Sequence, residues 1–143
     1  MEYGIQYVQD IIGSSGSPET LTASYGDNPS AVWPIGGMHS IVVYCQYVPK
    51  TGQTNRTLYM QIELGPSADD LYIITRQTDV SGDTSTLQRF QYVDKFLGAT
   101  GGTTYKIRMA TGDIADKFAK FSFKEDGQDN FGTLYAKILY SGK

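Results

Sequence analysis

The run "GATGG", Gly98 to Gly102, is the stretch of this sequence whose composition most invites chemistry, because consecutive glycine amides can cradle a phosphate. A P-loop, however, ends in Gly-Lys-Ser/Thr and opens a helix. No such lysine follows here, and "TTYKIRMATG" alternates like a strand. Gly98, Gly101 and Gly102 also miss the dinucleotide-binding spacing. The run is therefore read as a corner, a hairpin or a crossing between sheets, where glycine supplies positive φ.

The reactive side chains are few. His39 is the single histidine and Cys45 the single cysteine, so a catalytic triad could be built only around His39. Neither a nucleophile elbow nor a Cys-His signature accompanies it. A zinc site from histidine and cysteine is excluded by number. In "EDGQDN", Glu125, Asp126, Asp129 and Asn130 offer hard oxygen ligands for calcium, but off the EF-hand spacing, and Asp69-Asp70 invites the same remark. Both are read as solvated turns. Fifteen acidic residues always permit a carboxylate pair for glycoside hydrolysis, yet none is singled out. The expectation is a protein that is no enzyme, with no catalytic residue, cofactor or metal.

Trp33, in "NPSAVWPIGG", could stack on a sugar ring, although a lone tryptophan near strand ends more often plugs a core. Asn55-Arg56-Thr57 matches the glycosylation sequon and marks an exposed turn.

The elements that must position these residues read as strands. Eleven tyrosines, six phenylalanines and sixteen glycines are the material of strands joined by tight turns. In Arg56 to Leu64, Leu58, Met60, Ile62 and Leu64 alternate with Tyr59, Gln61 and Glu63. In Thr103 to Ala110, Tyr105, Ile107 and Met109 oppose Thr104, Lys106 and Arg108. Gly132 to Tyr140 places Leu134, Ala136, Ile138 and Tyr140 on one face. Met38 to Val48 is apolar on both faces and predicts a central strand, or one whose outer face meets a partner. Leu71 to Thr78, Tyr3 to Ile11 and Leu21 to Tyr25 complete the clearer strands. "TLQRFQYVDKFL" has helical spacing but is bounded by turn clusters and is read as one strand. "DIADKFAKF" predicts a short helix capped by Asp113 that runs into a strand at Ala119 to Lys124.

About eight or nine strands at short spacing, without a linker or repeat, predict an all-β antiparallel sandwich, jelly-roll-like, over 1–143 as a single domain. Residues 1–18 are its first strand or an N-terminal arm that pairs with another chain's sheet edge. Cys45, inside "IVVYCQYV", is expected in the core. A net charge of −3 and scattered cations argue against nucleic acid. No apolar run is long enough to cross a membrane as a helix. The opening "MEYGIQYVQDIIG" lacks a secretory pattern.

An aromatic strand, a small-residue turn and "TTYKIRM" in "LQRFQYVDKFLGATGGTTYKIRMATG", followed by "NFGTLYAKILYSG", resemble the jelly-roll or TNF-like β-sandwich domains of tailed-bacteriophage virion proteins. These occur in head decorations, head fibres and tail fibres. "MHSIVVYCQYVPKTGQTNRTLYMQIELGPSADD" extends the similarity over residues 20–142. The resemblance implies a structural role on the particle, with other virion proteins as partners, self-association (commonly as trimers) and assembly in the host cytoplasm. It carries over no catalytic residue. The chain has no coiled-coil or collagen-like stalk and is short enough to be complete, which fits a head decoration or minor capsid protein better than a fibre. Tyr3, Tyr7, Trp33, Tyr44 and Tyr59 are the candidate contacts, since aromatics favour interfaces. The alternative is a carbohydrate-binding module in which Trp33 with Tyr25 or Tyr59 stacks on a host-surface glycan.

Overall fold

The computed structural model describes residues 6–27, 32–35, 41–73, 90–91, 95–111 and 116–141. These contain strands β1 (Gln6–Ile12), β2 (Glu19–Thr20), β3 (Trp33–Pro34), β4 (Ile41–Val48), β5 (Arg56–Ser67), β6 (Asp70–Ile73), β7 (Phe90–Gln91), β8 (Lys95–Ala99), β9 (Tyr105–Thr111), β10 (Phe118–Glu125) and β11 (Thr133–Ser141). All pairings are antiparallel. The first sheet runs β1-β11-β4-β9-β7, with β2 also on β11; the second runs β3-β10-β5-β6, with β8 also on β5.

The pairs are nested. β1 pairs with β11, β3 with β10, β4 with β9, and β5 with β8 and β6, and successive pairs alternate between the sheets. A long antiparallel ribbon rolled up in this way is a jelly roll. The two sheets pack face to face, so the protein is an all-β sandwich, as the alternating pattern predicts.

Period-two alternation builds the core. From the first sheet, Ile41, Val43, Cys45 and Tyr47 of β4 point inward with Met109, Leu134, Ala136 and Ile138. From the second, Leu58, Met60, Ile62 and Leu64 of β5 meet Ala119, Phe121 and Phe123 of β10. Burying each large aliphatic or aromatic side chain contributes about 1.5–3 kcal/mol against the entropy of ordering the chain. β4 reads apolar on both faces because it is central: β11 and β9 flank it, and Val42, Tyr44 and Val48 on its outer face are half-buried by their neighbours.

Three local expectations are corrected or refined. Leu21 to Tyr25 is not a strand. After β2, Leu21 drops into the core, while the Thr22 hydroxyl donates to Asp27 at 2.8 Å and accepts from the Ser24 amide. Such local side-chain bonds compete with a ladder. "TLQRFQYVDKFL" is not one strand: Phe90–Gln91 pairs with β9 in the first sheet and Lys95–Ala99 with β5 in the second. The segment is divided between two sheets, so no single strand or helix runs through it. The strand at Ala119 to Lys124 is present, as β10, but it begins at Phe118, and Asp116 and Lys117 before it are not helical, so the described part of "DIADKFAKF" forms no helix. The Asp113 cap lies outside the described residues, as do His39 and residues 74–78.

The glycine run is the corner where the chain passes from β8 in the second sheet to β9 in the first. Gly98 and Gly102 have φ of 75° and 79°. Gly101 lies so close to the β4–β5 turn that a Cβ would stand 2.1 Å from the Lys50 carbonyl oxygen.

Candidate interaction surfaces

The corner cannot offer its amides to a phosphate, because the protein already uses them. Thr100 N–H donates to the Tyr105 hydroxyl at 2.8 Å, Gly101 N–H to Gln53 O at 2.8 Å, and Gly102 N–H to Pro49 O at 3.0 Å. The amide from Thr100 holds the Tyr105 hydroxyl below the ordinary tyrosine range. The Tyr105 ring in turn packs on Phe96 of β8, centroids 5.2 Å apart, and ties the two sheets together at this end.

The acidic loop after β10 holds a guanidinium. Arg56, 8% exposed, donates through Nη1 to the Asp126 carbonyl and through Nη2 to the Asp129 carbonyl and the Gln53 side chain, both at 2.8 Å. The Asp126 carboxylate lies 4.0 Å from Nη1 and accepts the Thr57 amide at 2.9 Å. Glu125 turns inward: it accepts the Tyr47 hydroxyl and, at 2.8 Å, the Gly132 amide. Burial, and then the Glu125 carboxylate, push the Tyr47 hydroxyl well above its ordinary range. Of the side chains that suggested calcium, the Glu125 and Asp126 carboxylates thus serve an internal network that pins the β10–β11 loop to β5, while those of Asp129 and Asn130 are exposed and bond to each other. Among the described residues no cluster of three or more histidine, cysteine or acidic side chains forms.

Two broad outer faces remain. On the first sheet, registration across β1, β11, β4 and β9 sets Val8, Leu139, Val42 and Ala110 in one row. Asp10, Lys137, Tyr44 and Arg108 form the row two residues further along each strand. Tyr135 lies on the same face; its hydroxyl donates to Asp10 Oδ1 at 2.6 Å, and that bond raises its pKa above the ordinary tyrosine value. On the second sheet, Lys95, Tyr59 and Lys124 line up across β8, β5 and β10. The Lys124 ammonium sits 4.6 Å from the Tyr25 ring centre and 5.1 Å from that of Tyr59.

The residues singled out from sequence do not converge. Tyr3 lies outside the described residues. Tyr7, on the exposed edge strand β1, stacks on Tyr140 at 5.3 Å. Tyr44 stands mid-face on the first sheet and Tyr59 on the outer face of the second. Trp33 pairs with Ala119 of β10 on the core side of the second sheet; it is half-buried, packs against the core, and its indole N–H has no acceptor among the described residues. Ala119 and Lys124 are five positions apart on one strand and so face opposite ways, which prevents Trp33 and Tyr59 from sharing a ligand. Asp10, Lys137 and Lys124 escaped sequence reading; their outward phase was legible, but their neighbours across the sheet were not.

No family model matches this chain, and no curated protein matches it. It is similar to the SPBc2 prophage-derived protein YomS, at 11% identity and a TM-score of 0.47 over 99% of this chain and 97% of that one. A xylan-binding domain, CBM22-1 of Paenibacillus barcinonensis Xyn10C, aligns at 8% identity and a TM-score of 0.46 over 100% and 99% of the two chains. A chain of the cyanophage Pam1 capsid asymmetric unit aligns at 12% identity and a TM-score of 0.41 over 100% and 89%.

Proposed function

We propose that this chain is a non-enzymatic structural protein of a bacteriophage particle, of the capsid-decoration, minor-capsid or fibre type, which attaches to other virion proteins through the outer face of its first sheet. The observation that carries the reading is that face itself. Four strands present an apolar row beside an aromatic and charged row on a broad sheet surface, which is the composition of a protein contact and not of a cleft around reacting groups. The sequence resemblance to phage jelly-roll domains points the same way. The reading is tested with particles of the phage whose genome encodes the chain. Purified protein is expected to cosediment with them, and Tyr44→Asp to lose that binding while keeping its melting temperature. Absence of the chain from purified particles, together with no cosedimentation, overturns it.

A second reading, a carbohydrate-binding module, is favoured by one feature, the Tyr25 and Tyr59 rings about Lys124 on the outer face of the second sheet. Its ligand would be a glycan that offers both an apolar ring face and an acidic group.

A further inference from the structure

We propose that the outer face of the first sheet is self-complementary and pairs with the same face of a second copy about a twofold axis parallel to the strands, between β11 and β4. The proposal rests on the functional reading above for the choice of face and on the geometry of that face; a second copy and a virion partner occupy it in turn, so the dimer is the form of the protein free of the particle. An isologous contact requires that each residue meet its symmetry mate's counterpart. Rotation about such an axis keeps each row opposite itself and exchanges β1 with β9 and β11 with β4. In the apolar row, Val8, which is 63% exposed, then faces Ala110 of the second copy, and Leu139 faces Val42.

The polar row is the more discriminating. Asp10 faces Arg108 of the second copy, twice by symmetry, and Lys137 faces the ring of Tyr44. Asp10, Lys137 and Arg108 form no ion pair with any described residue of their own chain; Asp10 accepts the Tyr135 hydroxyl through one oxygen, which leaves its charge uncompensated by a cation. An order that set Lys137 opposite Arg108 would bring two cations together, which the order observed avoids. Four strands by seven residues span roughly 19 by 24 Å, on the order of 450 Å² per copy before side-chain relief. That is the low end for a specific interface, so the dimer is reversible and depends on concentration.

Sedimentation equilibrium over a wide concentration range tests this with the intact chain. A monomer–dimer equilibrium is expected. Asp10→Arg and Arg108→Asp should each weaken it by about tenfold or more, because each reversal creates two like-charge contacts. The double variant D10R/R108D should return the dissociation constant to within a few-fold of the parent. Circular dichroism melts of all four proteins separate lost folding from lost association, and the double variant guards against damage at the Tyr135–Asp10 bond, which it does not restore. A monomer at every concentration, a trimer, or failure of the folded double variant to recover overturns the proposal. Particle binding by a strictly monomeric protein would leave the attachment reading standing while removing this one.

Discussion

Arg56 shows how a single side chain settles the chemistry of a loop. Its guanidinium is almost fully buried and its donors reach two carbonyls and an amide oxygen from two different turns. Arg56→Ala should therefore leave buried acceptors unpaired and cost about 2–4 kcal/mol in urea unfolding. Arg56→Lys should recover only part of that, since an ammonium cannot reproduce the planar fork. Added calcium should move the melting temperature by no more than about a degree, because binding to the folded state alone would raise it. A second residue-scale prediction concerns alkali. Burial pushes the Cys45 thiol up to about 12 from 9.0, and the Tyr47 hydroxyl is raised in the same sense. A raised folded pKa gives stability that is complete below the unfolded value and lost as pH climbs towards the folded one. Stability should thus hold to about pH 9 and fall between 9 and 12, with Cys45 contributing up to about 4 kcal/mol of the fall. Denaturation midpoints against pH check this, and Cys45→Ala should make the decline shallower.

At the scale of the element, the corner from Gly98 to Gly102 joins two sheets as well as two strands. A methyl group at Gly101 would collide with the Lys50 carbonyl, which is backbone and cannot swing aside. Gly101→Ala should therefore destabilise by more than about 1 kcal/mol, whereas the same replacement at a compatible site stabilises by roughly 0.4–1 kcal/mol. Gly52→Ala, in open space but at φ of 92°, provides the comparison for conformational strain alone. If the two variants unfold at the same urea concentration, close approach is not what selects glycine at 101. This corner was legible in the sequence because glycine between two alternating segments is a local signal. β5, β9 and β11 were legible for the same reason: their inward residues recur at period two. The split of "TLQRFQYVDKFL" between sheets was not, since which partner a short segment pairs with depends on chain far away.

For the whole molecule, the rolled ribbon decides which residues can act together. It puts Trp33 on the core side of the second sheet and Tyr59 on its outer face, so the two should behave differently when removed. Trp33→Ala should lower the melting temperature by several degrees, as loss of a partly buried aromatic side chain does in a domain of this size. Tyr59→Ala should leave stability nearly unchanged; if the carbohydrate reading holds, it and not Trp33→Ala is the variant that selectively loses signal on a glycan array. A Trp33→Ala protein with unaltered melting would contradict the placement of the indole against the core.

By itself the sequence determined the class of fold, the inward and outward sides of the longer strands, the buried thiol and the corner, because each follows from spacing along a few neighbouring residues. Only the tertiary structure decided that Asp10, Lys137, Tyr44 and Arg108 stand in one row and that Arg56 fills the acidic loop. Those residues are brought together by pairing between strands distant in the chain, and pairing register is set by how all the inward faces close one core, which no short stretch of sequence contains.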